Sequence, residues 1–178
     1  MVIKHSEEEW HLIRSLRNQG RPEPGGWLEH VRLGFNYRLS DVAAALGIGQ
    51  TERLDEILAL RSEAAARYTE LLGTVGGLEL PAADDADHRR SWFVYVVLFA
   101  DSAARERAIA AFEREAIGYN RYLPSIHLQP YMRERFGFRE GLCPVAEDVS
   151  SRSLALPFFT GIESAAQERV ADVLASAL

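Results

Sequence analysis

Trp92-Phe93-Val94-Tyr95-Val96-Val97-Leu98-Phe99 is the stretch whose reading decides the fold. Eight apolar or aromatic residues follow one another, and three are valine. Both alternating faces are apolar, so the pattern predicts a strand covered on both sides. The rest of the chain must supply that cover.

Downstream, residues 102–116 predict an amphipathic helix with Ala108, Ile109 and Phe112 inward. Residues 117–123 read as a strand and 124–130 as a Pro-rich loop. Residues 144–152 suit a short helix, and 153–156 a short strand stopped by Pro157. A closing helix is expected with Ser164 as N-cap and Gln167 as its capping-box partner. Its apolar face would carry Ile162, Val170, Val173, Leu174 and Leu178.

Upstream, residues 81–90 form a charged linker. Two helices are expected near 40–49 and 52–72, interrupted by Gly47 and Gly49 and ending in Gly73 and the Gly76-Gly77 pair. Ser6 and Glu9 form a capping box for a helix near 6–19, with Gly20 as its C′ residue. Residues 20–29 hold two prolines and three glycines and read as a loop. The order is helices first, then strand, helix, strand, loop, strand and helix. That is the order of an α+β domain with a small sheet. No internal repeat is visible.

The 178 residues carry a net charge of −6, which argues against a nucleic-acid-coating protein or an Arg-rich helical regulator of that kind. The chain is long enough to bury roughly 70% of its unfolded surface without staples. No apolar run approaches the roughly 18 residues of a membrane span. The charged N-terminal residues hold no signal-peptide core, so a cytoplasmic location is expected. Cys143 is the one cysteine and excludes a disulfide framework. It reads as a packed small apolar residue. The five histidines show no metal-ligand spacing, and no metal is expected. Of the 20 basic residues only Lys4 is a lysine.

Motifs of the GxGxxG, GxxxxGK[ST], GxSxG and HExxH types are absent. Two segments stand out. In Gly34-Phe35-Asn36-Tyr37-Arg38-Leu39-Ser40-Asp41 an Asn amide and an Arg fork precede a helix start, a combination suited to a phosphate or carboxylate. The plainer alternative is a turn cap at Asn36 and a surface ion pair at Arg38. In Tyr122-Leu123-Pro124-Ser125-Ile126-His127-Leu128-Gln129-Pro130 two prolines limit a loop that presents a His and a Gln. Its alternative is a rigid turn with a satisfied histidine.

Together these segments resemble the DegT/DnrJ/StrS sugar aminotransferases, pyridoxal-phosphate enzymes of fold type I. The family pattern G-[YF]-N-Y-R-[LM]-S-[DE]-x-x-A-A-L-G-x-x-Q is matched from Gly34 to Gln50. Glu52-Arg53-Leu54-Asp55-Glu56-Ile57, Ala65-Ala66-Arg67-Tyr68, Pro124 to Pro130, Cys143-Pro144-Val145-Ala146-Glu147 and Leu154-Ala155-Leu156-Pro157 follow in the family's order.

The resemblance implies a small, mostly antiparallel sheet with packed helices. Residues 1–72 would be connecting helices with a cofactor- and dimer-contact segment, and 73–178 the C-terminal small domain. The large domain, with the Schiff-base lysine ahead of a G-E-G-G stretch, would precede Met1, and Lys4 is not that lysine. No catalytic residue is therefore assigned. By position, Asn36 would hold the phosphate of the neighbouring subunit's pyridoxal phosphate. Arg38 would support that site or the substrate's anionic group. His127 would sit at the substrate mouth, with Tyr37 and Tyr122 as weaker contacts. The implied reaction moves an amino group from an amino acid, commonly glutamate, to a nucleotide-linked keto sugar in a homodimer. This chain alone would be inactive. The alternative is a stand-alone dimerisation or sugar-nucleotide-binding module without catalysis.

Overall fold

The computed structural model describes residues 6–22, 25 and 29–178. Lys4 and part of the 20–29 loop lie outside them. The architecture is α+β, with seven helices and one small sheet among the described residues. The chain divides between Arg53 and Leu54 into two units. Residues 54–72, expected among the connecting helices, pack within the second.

The first unit holds α1 (Glu7–Arg17) and α2 (Asp41–Glu52). The Ser6–Glu9 capping box forms: Glu9 N donates to Ser6 Oγ at 3.2 Å and Ser6 N to Glu9 Oε2 at 3.1 Å. Asn18 is the C-cap of α1, so the C′ position falls to Gln19 (φ +62°) rather than to Gly20 (φ +78°), and both turn the chain left-handed. Ser40 caps α2 by accepting from Ala43 N at 3.2 Å. Gly47 and Gly49 stay helical, so α2 runs further than expected.

The second unit contains α3 (Leu54–Leu72), β1 (Leu78–Glu79), β2 (Val96–Phe99), α4 (Ser102–Arg114), α5 (Pro130–Phe136), α6 (Pro144–Arg152), β3 (Ser153–Ala155) and α7 (Ser164–Ala177). The sheet order is β1-β2-β3, antiparallel throughout, with Leu78 opposite Phe99 and Val97 opposite Leu154. α7 packs on α3 and α4. Tyr68, Leu72, Tyr95, Val97, Phe99, Phe112, Leu154 and Leu174 are fully buried in one core.

The expected strand 92–99 is shorter because its first carbonyls are taken by a side chain. Arg61 Nη1 donates to the carbonyls of Trp92 (3.0 Å) and Phe93 (3.2 Å), and Trp92 has φ +49°. One face of the stretch, Tyr95, Val97 and Phe99, is buried, while Trp92, Val94, Val96 and Leu98 on the other face are only half-buried. Cover on both sides is therefore not met within this unit.

The expected strand 117–123 is reduced to one bridge, Asn120 to Ala155, because hydroxyls claim its later carbonyls. The Pro-rich loop contains a 3-10 turn (Ile126–Leu128), and Pro130 starts α5 at a position where its missing N–H costs nothing. Ser164 does not cap α7. Glu163 precedes the helix without a side-chain cap bond, and Gln167 points inward.

Candidate functional site

Asn36, Tyr37 and Arg38 lie in the first unit on an extended segment held against the end of α1. Phe35 N donates to Leu16 O at 2.7 Å, Gln19 N to Phe35 O at 2.8 Å and Tyr37 N to Arg17 O at 2.9 Å. Asn36 thereby forms a bridge with Asn18. The approach is close because both strands carry glycine. A Cβ on Gly34 would stand 2.1 Å from Gly20 N.

On this frame the three side chains are exposed. Arg38 Nε donates to Asn36 Oδ1 at 2.9 Å. With one lone pair of its oxygen engaged, the Asn36 amide offers its two N–H donors next to the remaining guanidinium donors. Tyr37 stacks on Phe35 with centroids 4.9 Å apart and planes 6° apart.

Tyr122 and His127 lie in the second unit, on the segment between α4 and α5. α6 and the start of β3 clamp that segment. Ser153 Oγ donates to Tyr122 O, Ser150 Oγ to Leu123 O at 2.8 Å, and Ser125 Oγ to Ala146 O at 3.2 Å. Ala146 and Ser150 lie one turn apart on α6, and Ser153 opens β3 directly after it.

His127 is buried, and its Nε2 stands 2.8 Å from Glu147 Oε1. The same carboxylate accepts from Gly141 N (3.0 and 2.9 Å) and Cys143 N (3.1 Å). These donors hold the Glu147 carboxyl below the usual carboxylate range, with Gly141 first, then His127 and Cys143. Sequence reasoning gave Glu147, Ser150 and Ser153 no role. Glu147 and Ser150, three apart on the expected helix 144–152, were the signal. Cys143 is exposed rather than packed, and the fold uses its backbone N–H.

Tyr122 is half-buried and lines a cavity of about 400 Å³ with Phe93, Val94, Tyr119, Leu156 and Pro157. Nearby, Arg121 makes a two-pronged pair with Glu106 (2.8 and 2.7 Å), and the buried Arg105 donates to Glu106 and to Ser150 O. These bonds, led by Arg121, lower the Glu106 pKa. Among the described residues no three His, Cys, Asp or Glu side chains gather as a metal site. No described helix is long and apolar enough to cross a membrane.

The profile of the DegT/DnrJ/EryC1/StrS aminotransferase family matches residues 1–175. The chain belongs to this family. It is 32% identical to the spore coat polysaccharide biosynthesis protein SpsC of Bacillus subtilis over 172 residues, covering 89% of the chain and 44% of SpsC. It is 28% identical to the UDP-4-amino-4-deoxy-L-arabinose–oxoglutarate aminotransferase of Shewanella sediminis, covering 80% of the chain and 38% of that enzyme. The crystal structure of DesV from S. venezuelae superposes with a TM-score of 0.84 at 26% identity, covering 98% of the chain and 45% of DesV. The chain thus spans less than half the length of these relatives. Fold type I aminotransferases are its structural neighbours, and sugar aminotransferases are among its relatives.

Proposed function

We propose that the chain forms the C-terminal part of a pyridoxal-phosphate-dependent aminotransferase that moves an amino group from an amino acid, with glutamate the expected donor, to a nucleotide-linked keto sugar. The observation that carries this reading is the 2.9 Å bond from Arg38 Nε to Asn36 Oδ1. It engages the Asn36 oxygen and leaves a cluster of N–H donors at an exposed place just ahead of α2. That donor set fits a phosphate, which is charged and only accepts.

When bound, pyridoxal phosphate supplies the electron sink for amino-group transfer. In this reading Asn36 binds its phosphate in the neighbouring subunit of a homodimer, and Arg38 orients the Asn36 amide and adds charge. His127 meets the sugar or its diphosphate, and Tyr37 and Tyr122 are further substrate contacts. The described residues contain no lysine, so the amine that holds the cofactor must come from elsewhere.

Two measurements test the reading. Borohydride reduction of the chain with pyridoxal phosphate is expected to leave no stoichiometric label, and labelling at a single site overturns the expected inactivity of the chain alone. The gene, translated in frame upstream of Met1, is expected to encode S-x-x-K followed by G-E-G-G. Its absence overturns the catalytic reading.

A second reading is a non-catalytic dimerisation or sugar-nucleotide-binding module. It is favoured by α2, which buries no residue and leaves Val42, Leu46 and Ile48 exposed. It expects a monodisperse dimer that binds a nucleotide sugar without cofactor, and calorimetric titration decides.

A further inference from the structure

Glu147 makes more of the loop's polar contacts than any role as a surface acid requires. One carboxylate accepts from Gly141 N, Cys143 N and His127 Nε2. It therefore ties together the turn after α5, the start of α6 and the 3-10 turn 126–128.

An ionised carboxylate has no proton to give. At the 2.8 Å contact the imidazole must be the donor, so Nε2 carries the hydrogen. A neutral ring then has a bare Nδ1, which only accepts. Two backbone N–H groups hold Glu147 in its charged form, so the carboxylate stays an acceptor at neutral pH.

We propose that Glu147 is the positioning residue of the 122–128 loop, locking His127 in its Nε2–H tautomer so that Nδ1 serves as a hydrogen-bond acceptor for a hydroxyl of the sugar substrate. The hydroxyl assignment rests on the reading of His127 as a substrate contact, whereas the tautomer assignment stands without it. The clamp has a second part, on α6 and the start of β3. Ser150 and Ser153 hold the carbonyls of Leu123 and Tyr122, so the loop is fixed at its start and Glu147 holds the ring at its other end.

The test uses the whole chain labelled with ¹⁵N-histidine. Long-range proton–nitrogen spectra at neutral pH are expected to show His127 as the Nε2–H tautomer, its signals identified by their loss in His127→Gln. An Nδ1–H tautomer in the wild-type chain overturns the proposal without any variant. In Glu147→Gln the side chain can donate as well as accept, and a mixture of tautomers with shifted Gly141 and Cys143 amides is expected. Unchanged spectra overturn the positioning role. The substrate arm titrates a UDP-linked sugar. Wild type is expected to bind at least fivefold more tightly than Glu147→Gln, and equal affinities overturn the link between tautomer and substrate. Absence of binding to the wild type, with the Nε2–H tautomer present, overturns the hydroxyl assignment alone.

Discussion

A carboxylate that accepts three N–H groups in the folded chain and only water in the unfolded one is harder to protonate when folded. Glu147 is such a group. Its folded pKa lies below the unfolded value of about 4.3, so its contribution to stability is complete above that value. The contribution is lost as pH falls through the folded pKa. Glu147→Gln is therefore expected to be less stable than wild type at neutral pH, with the gap closing as the pH is taken from about 5 towards 3. Urea unfolding midpoints across that range check this, and a gap constant with pH refutes it. Glu106 is depressed for a similar reason but is present in both proteins and does not enter the difference. At this scale the sequence was informative about residue types and silent about partners. His127 and Glu147 are 20 positions apart, and no local rule pairs them.

Between elements, two contacts depend on features that look ordinary in the sequence. Gly34 and Gly20 let the segment after the 20–29 loop press against the end of α1. A Cβ at Gly34 would meet backbone, not a flexible side chain, so the segment must move away. Gly34→Ala is expected to cost about 2 kcal/mol or more in the first unit. Hydrogen exchange at the Phe35 and Tyr37 amides should rise at least tenfold, and protected amides in the variant refute this account. Gln167 is the second case. Its Nε2 donates to Ala64 O at 2.8 Å and its Oε1 accepts from Arg67 Nη1 at 2.7 Å, in a fully buried position between α7 and α3. Gln167→Ala removes both bonds and leaves a void, at a cost of about 2–4 kcal/mol. Thermal unfolding measures it, and a neutral effect would place the α3–α7 packing on the apolar residues alone.

The expectation for Gln167 was a surface capping box, and the physical reason it differs lies in competition. Ser-x-x-Gln offers a cap only where nothing better is available. Here a buried carbonyl and an arginine on α3 are better partners than solvent-exposed N–H groups. The capping box at Ser6 and Glu9 formed as expected, and both residues stay exposed.

At the scale of the whole molecule the apolar residues are distributed unevenly. The second unit closes around a core of Tyr68, Tyr95, Phe99 and Phe112. The first leaves Leu33, Leu39, Val42 and Leu46 exposed, with Leu33 at 86%. Such a surface adds little to the stability of its own unit. Val42→Glu and Leu46→Glu are each expected to change stability by about 0.5 kcal/mol or less, while the pair together lowers binding of a hydrophobic dye. A loss of several kcal/mol in either single variant would show that these side chains support the fold itself.

What the sequence by itself determined follows from short-range chemistry. Helix periodicity set α1, α3, α4 and α7, Ser6 and Ser40 set the starts of α1 and α2, and the motif order from Gly34 to Pro157 set the family. These signals lie within a few residues of one another, where backbone geometry alone decides who meets whom. Tertiary structure decided the rest. It shortened the strand at Trp92 by lending Arg61 to its carbonyls, dissolved the strand at 117–123 into hydroxyl contacts, and gave Glu147 its histidine. In each case a polar backbone or ring group took a partner distant in the chain. A buried donor or acceptor must be satisfied by whatever the fold brings near, and sequence spacing does not record that.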